Sequence, residues 1–256
     1  MPTGKVYFVG SGPGDPDLLT VRALRLLKSS DVVIYDSLVT QGILDLIPES
    51  AICVPIRGTP RAHGLKMHEV ADLMIKHAQR GDMVVRLKSG DPIIFGRLWE
   101  ETAFLEEKNI PYDIVPGITS ALYSAMVSRT PLTDRRFSSS FAIVTGHEAM
   151  ENSTHRVNWE KLAGAVDTLV VLMGATTIKD YAVRLLDAGA NPEATTRIIF
   201  NASRDNQEVI ETTLEEASNG IQNGHGDLCV VIISLSSGFE NMKTRSIEGR
   251  QITLQD

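Results

Sequence analysis

"VYFVGSGPGDPDLLT", residues Val6 to Thr20, is the stretch on which the fold turns. An apolar, strand-like run ends in Gly10, Gly12 and Gly14, and a helical pattern follows it. A dinucleotide-binding fold needs Gly-x-Gly-x-x-Gly between a strand and the helix it opens. Gly10 and Gly12 fit, but the third position is Asp15. Pro13 stiffens the loop, and "DPDLL" separates it from the helix. That spoils the geometry in which pyrophosphate sits on a helix N-terminus. A buried carboxylate at Asp15 would also repel phosphate. One residue supports the rival reading: Asp36 ends the next strand about 20 residues on, where such folds place a ribose-binding acid. The residues favour a loop that does not bind phosphate. An NAD-binding oxidoreductase built on Gly10, Gly12 and Asp36 stands as the alternative.

A second loop repeats the form. "VVRLKSGDPIIFGR", Val84 to Arg97, runs from a strand into Ser89-Gly90-Asp91-Pro92. Glycine lets a ligand approach the backbone, and the adjacent aspartate can accept hydrogen bonds from hydroxyls or an amine. Two such strand-end loops suit a cleft for a small polar molecule.

Around these loops, short β-rich runs alternate with helical patterns. "KVYFVG", "DVVIYD", "AICVPI", "DMVVRLK" and "YDIVPG" read as strands. "TVRALRLLKSS", with Thr20 as N-cap, "QGILDLIP", "KMHEVADLMIKHAQRG" and "RLWEETAFLEEKNI" read as helices. This alternation predicts a largely parallel sheet covered by helices. After "VPGITSA" the order changes. A small-residue helix and a long polar connection precede strands in "FAIVTGHE", "DTLVVLMG", "TRIIFNAS", "QEVIETTLEEA" and "DLCVVIISL", with a helix in "TIKDYAVRLLDAGA". The expected organisation is two α/β domains with a cleft between them, the second with a mixed sheet. The boundaries are 1–115, 116–240 and a polar tail, 241–256.

The 256 residues suffice for a sizeable core, and a net charge of −7 argues against nucleic acid as partner. No run approaches a membrane span, no apolar leader is visible, and a cytoplasmic location is expected. Cys53 and Cys229 sit in apolar runs and read as buried thiols. The histidines show no close pairing at metal-site spacing, so no metal is expected.

Several segments together resemble the uroporphyrinogen-III C-methyltransferases, within the tetrapyrrole methylases. They are the two loop strings, "VPGITSAL", "PLTDRRFSSSFAIVTGH", "TLVVLMG" and "IIFNAS", in that order from Val6 to Ile233. The resemblance implies the tetrapyrrole methylase fold, with S-adenosylmethionine held between two α/β domains. It also implies a homodimer and methylation of uroporphyrinogen III at C2 and C7 to give precorrin-2, on the way to sirohaem and cobalamin. S-adenosylhomocysteine is the second product. A later precorrin methyltransferase of the same fold is the near alternative, and a catalytically silent relative a further one. The resemblance assigns cofactor contacts to Pro13, Ser89, Gly90, Asp91, Ile94, Thr119, Ser120, Met173, Ala202 and Leu228. Asp36 matches an acid that handles a proton. Arg97 and Glu100 match the Arg and first Glu of the family's "GRGGEE" and are the other catalytic candidates. Arg57, Arg97 and Arg135 are expected to bind the substrate's carboxylates, because guanidinium pairs bidentately with carboxylate. The chain departs from the family pattern at Leu98-Trp99, where it has glycines, at Ser89, at Asp134, at Arg129 and at Ile56-Arg57, where a lysine is usual.

Overall fold

The structure, a computed structural model, describes residues 4–56, 66–147, 157–220 and 228–237. By contact the chain divides into two compact units. One is Met1–Val127 with Phe200–Glu208, the other Ser128–Ile199 with Val209–Asp256. The first division thus follows Val127 rather than residue 115. The reason is local: the backbone of Gly117 is wedged against Gly10 and Gly90, which ties the start of the next helix to the first unit. The tail 241–256 lies outside the described residues.

The first unit contains β1 (Lys5–Gly10), β2 (Val32–Asp36), β3 (Ile52–Ile56), β4 (Met83–Lys88) and β5 (Tyr112–Val115). They form one sheet in the order β3-β2-β4-β1-β5, and the paired strands run parallel. The helices are α1 (Val21–Lys28), α2 (Gln41–Leu44), α3 (Met67–Gln79), α4 (Leu98–Glu107) and α5 (Ser120–Val127). Thr20 caps α1 as its sequence predicts, its Oγ1 accepting from Ala23 N at 3.1 Å. Arg80 and Gly81, the latter with φ +97°, end α3.

The period-2 alternation of the strands sorts the helices onto two faces. Val9, Val33, Val85, Leu87 and Val115 pack with Ala23 and Leu27 of α1 and Ile43 of α2. Val6, Phe8, Val32, Ile34 and Val84 pack with Val70, Met74 and Ala78 of α3 and Leu98 and Leu105 of α4. The helix after β1 therefore covers one face and the helix after β4 the other. Because β1 and β4 are neighbours, their connections leave the sheet in opposite directions. That is a topological switch point, where a crevice opens outside the carboxyl ends of the strands.

The second unit carries most of a mixed sheet in the order β6-β7-β10-β8-β9. Its strands are β6 (Phe141–Thr145), β7 (Thr168–Leu172), β8 (Thr195–Phe200), β9 (Glu208–Thr213) and β10 (Cys229–Ser234). β6 and β7 are parallel; β7 and β10 are antiparallel. Its helices are α6 (Trp159–Leu162), α7 (Ile178–Asp187) and α8 (Leu214–Ala217). Trp159 stacks on Tyr181 with ring centroids 4.8 Å apart, fixing α6 against α7.

Two expectations change. The run "QEVIETTLEEA" is a strand only to Thr213. A capping box then turns Leu214–Ala217 helical, with Thr213 Oγ1 accepting from Glu216 N at 3.1 Å. Cys229 is buried, but Cys53 is exposed, because β3 is an edge strand that, among the described residues, pairs only with β2.

Candidate functional site

The two glycine loops meet at the switch point. Gly12 N donates to Gly90 O at 3.1 Å and Gly90 N to Gly12 O at 2.9 Å, a small antiparallel bridge beyond the strand ends. Both glycines have positive φ, +72° and +66°, a region that other residues enter at a cost. Gly117 closes the group. A Cβ there would lie 2.3 Å from Gly90 O, and a Cβ on Gly10 would lie 2.5 Å from Gly117 N. Asp91 pins the loops: Oδ2 accepts from Gly117 N at 3.1 Å and Oδ1 from Ile93 N at 2.9 Å. Space remains beside Gly90, where a Cβ would meet nothing nearer than Thr119 Cα at 3.9 Å. Three backbone segments stripped of side chains, with one open flank, can admit a ligand against the main chain.

Asp15 does not arm this loop against phosphate from a buried position. It is half-buried and caps a 3-10 turn, Pro16–Leu18, its Oδ1 accepting from Asp17 N at 2.9 Å. Its own N–H donates to Ser203 Oγ at 2.8 Å, and Thr40 Oγ1 donates to Gly14 O. The loop is thus braced by Phe200–Glu208, part of the same unit.

Strand order decides what Asp36 can do. β4 lies between β2 and β1, so the end of β2 borders β4 and not the glycine loop after β1. Asp36 Oδ1 accepts from Arg86 Nη2 at 2.6 Å and Oδ2 from Ser89 N at 3.4 Å. Its side chain keeps 30% exposure, whereas Arg86 keeps 4%. Arg86 forks onto Glu101, with Nε to Oε2 at 2.8 Å and Nη2 to Oε1 at 3.0 Å, and Lys88 Nζ donates to Glu101 Oε1 at 2.6 Å. Burial pushes the Lys88 pKa down and the Arg86 guanidinium pushes it the same way, against the pull of Glu101 and Asp36. Burial also opposes the charge on Arg86, yet the two carboxylates outweigh it and raise its pKa. A ribose-binding acid would have to border the glycine loop after β1, and the strand order sets Asp36 beside β4 instead.

A family model for tetrapyrrole (corrin/porphyrin) methylases matches residues 5–218. The chain belongs to the tetrapyrrole methylase family. It is 40% identical to a uroporphyrinogen-III C-methyltransferase of Methanocaldococcus jannaschii, over 83% of this chain and 87% of that one. A Thermus thermophilus uroporphyrin-III C-methyl transferase complexed with S-adenyl homocysteine superposes with a TM-score of 0.76 at 37% identity. It covers 90% of this chain and 92% of its own. A cobalt precorrin-4 methyltransferase superposes with a TM-score of 0.81 at 26% identity, over 90% and 94%.

The methylase fold gathers Ser89, Gly90, Asp91 and Thr119 at the switch point, with Pro13 buried in the adjoining loop. Thr119 is buried and lies just before α5, of which Ser120 is the first residue. Ile94 is half-buried in the loop after Asp91, its N–H bonded to Asp91 O at 3.2 Å. In the second unit Met173 follows β7 with φ +56° and stays 45% exposed, its N–H bonded to Cys229 O. A large apolar side chain held outward on a left-handed backbone is an outlier of the kind found at ligand sites. Ala202 sits in a turn between Asn201 and Ser203, which both have positive φ. Leu228 is half-buried next to β10.

The other methylase candidates are placed as follows. Arg97 and Glu100 form an exposed i,i+3 pair, Nη2 to Oε2 2.7 Å, which holds the Glu100 carboxyl below the usual range. Arg135 is exposed in a turn, and Arg57 lies outside the described residues. Leu98 is buried in the core, while Trp99 is 62% exposed. Sequence reasoning missed Arg86, Lys88 and Glu101. A signal was present: two cations at i and i+2 in an apolar strand, and Glu101 in phase with Leu98 and Leu105 on the apolar stripe of α4.

Proposed function

We propose that this protein is an S-adenosylmethionine-dependent C-methyltransferase that methylates uroporphyrinogen III at C2 and C7 to give precorrin-2. The observation that supports this best is the bridged pair of glycine loops at the switch point with Asp36 held beside them, in a chain of this family. The residues fit the cofactor. Gly90 leaves an open flank on the main chain, and Asp91 and the adjoining backbone offer polar groups for an amino acid and a nucleoside. Pro13, Ser89, Gly90, Asp91, Ile94, Thr119 and Ser120 would hold it, and the resemblance adds Met173, Ala202 and Leu228.

When bound, S-adenosylmethionine supplies a methyl group already activated by a sulfonium. The chain's part is position and charge. In-line displacement rewards rigid placement, which a backbone cradle braced by Asp91 provides. The attacking pyrrole ring gains positive charge and then loses a proton. Asp36, fixed on two sides and open on a third, stabilises that charge or takes that proton. Arg97, which pairs with Glu100, and Arg135 are exposed and are proposed to meet the substrate's carboxylates, with Arg57 in the same proposed role. Glu100, ionised beside Arg97, supplies a second negative charge toward the acceptor.

A homodimer belongs to the proposal. Leu122 and Met126, i and i+4 on α5, are exposed apolar side chains suited to a partner surface. A cytoplasmic location belongs to the proposal as well. Among the described residues no helix is long and apolar enough to cross a membrane.

The test is anaerobic turnover of uroporphyrinogen III and, separately, cobalt-precorrin-4 with labelled S-adenosylmethionine. Label entering uroporphyrinogen III at the higher kcat/KM supports the reading. Preference for the later intermediate replaces the acceptor, and label in neither removes the activity.

A further inference from the structure

Asp36 stands on a set of buried charges. Two cations, Arg86 and Lys88, and one carboxylate, Glu101, sit on the α4 face of β4 with 3–6% of their side chains exposed. The strand pleat puts Val84, Arg86 and Lys88 on one face, and Asp36 shares the corresponding face of β2 with Ile34. Burying such a cluster is expensive, and apolar residues of the same shape commonly serve stability as well or better. Its geometry has a direction. Glu101 accepts from both cations, Arg86 alone reaches on to Asp36, and only Asp36 is open to solvent.

We propose that Glu101, Arg86 and Lys88 are positioning residues that set the Asp36 carboxylate for its work on the tetrapyrrole. This rests on the reading of Asp36 as the group that meets the acceptor's charge or proton. Glu101 clamps two guanidinium nitrogens of Arg86, leaving that group one orientation. Nη2, shared between Glu101 and Asp36, then fixes Oδ1, while Ser89 N–H takes Oδ2. Lys88 Nζ donates to Glu101 Oε1, the oxygen that also accepts from Arg86 Nη2, and a Cβ on Gly96 would come 3.2 Å from Lys88 Cε. The orientation of Asp36 thereby depends, through Arg86, on one buried carboxylate.

The test is a double-mutant cycle in the full chain with Glu101→Gln and Asp36→Asn, repeated with Arg86→Lys in place of Glu101→Gln. Arg86→Lys keeps the charge but cannot fork, so it serves if Glu101→Gln does not fold. Each single variant is expected to lose about tenfold or more in kcat, the scale on which supporting contacts act. S-adenosylhomocysteine affinity by calorimetry should stay within about twofold. In the Asp36→Asn background the second substitution should cost less than about twofold in kcat. Losses that multiply, or that fall equally on cofactor affinity, overturn the positioning role and leave Asp36 untouched. An Asp36→Asn variant with full turnover overturns the reading of Asp36 itself.

Discussion

Gly117→Ala tests the cradle directly. The new Cβ would lie 2.3 Å from Gly90 O and 2.8 Å from both the carbonyl carbon and Cα of Gly10. All three neighbours are backbone, so no side chain can swing away. Relief to an ordinary contact requires a displacement of about 1 Å, at the point where Asp91 pins the two glycine loops. Overpacking of this kind costs about 1–3 kcal/mol, and the rigid neighbours put it near the top of that range. Strain confined to the loop appears as S-adenosylhomocysteine affinity lowered about 10- to 100-fold, at roughly 1.4 kcal/mol per tenfold. Strain spread through the sheet appears instead as a melting temperature lower by about 2–4 °C per kcal/mol. Gly164→Ala is the control, since nothing lies within 4 Å of its added Cβ. Titration calorimetry and thermal melting read both quantities. A Gly117→Ala protein that matches the control in affinity and melting temperature would refute the described packing of the loops.

Asp91→Ala strands the Gly117 and Ile93 N–H groups and should weaken cofactor binding by about 1–3 kcal/mol in calorimetry, with Asp91→Asn losing less. Glu100→Gln breaks only an exposed pair, so melting should shift by less than about 0.5 kcal/mol equivalent. If Glu100 acts on the acceptor, turnover nonetheless falls while cofactor affinity holds; equal losses would remove it from that role. Asp167, whose pKa is lowered from 3.8 by N–H and O–H donors of Ser139 and Ser140, stabilises the fold above that pH and loses the contribution as pH falls through its lower folded value. The urea-denaturation gap between wild type and Asp167→Asn should therefore be wide at pH 7 and shrink at pH 3; a constant gap contradicts the assignment. Native thiol titration should find Cys53 and miss Cys229, whose thiol burial pushes up to about 12. Two fast thiols would contradict the burial of β10.

The glycine loops, the alternation of strands and helices, and the change to a mixed second sheet are local properties and were legible in the sequence. "VYFVGSGPG" is strand then turn whatever surrounds it, and Thr20 caps α1 through atoms three residues away. Asp36 was legible as a candidate but not in its setting. A ribose site would need β2 beside β1, and strand order is a long-range property that periodicity does not carry. Glu100 and Glu101 separate for a different reason. They are neighbours in the string but about 100° apart on a helix, so one faces solvent and the other the core. The motif pointed to the pair, while the helical phase, set by Leu98 and Leu105, assigns their surroundings. Cys53 looked buried because β3 is apolar, and only the position of β3 at the sheet edge exposes it.

The central claim is a double C-methylation, and the nature of the new bonds tests it most directly. Uroporphyrinogen III is incubated anaerobically with the protein and S-adenosylmethionine carrying a 13C-methyl group, and the product is observed by NMR and mass spectrometry. The account predicts two labelled methyl groups on quaternary ring carbons, at C2 and C7. A single labelled methyl, label on oxygen or nitrogen, or no transfer at all would contradict it.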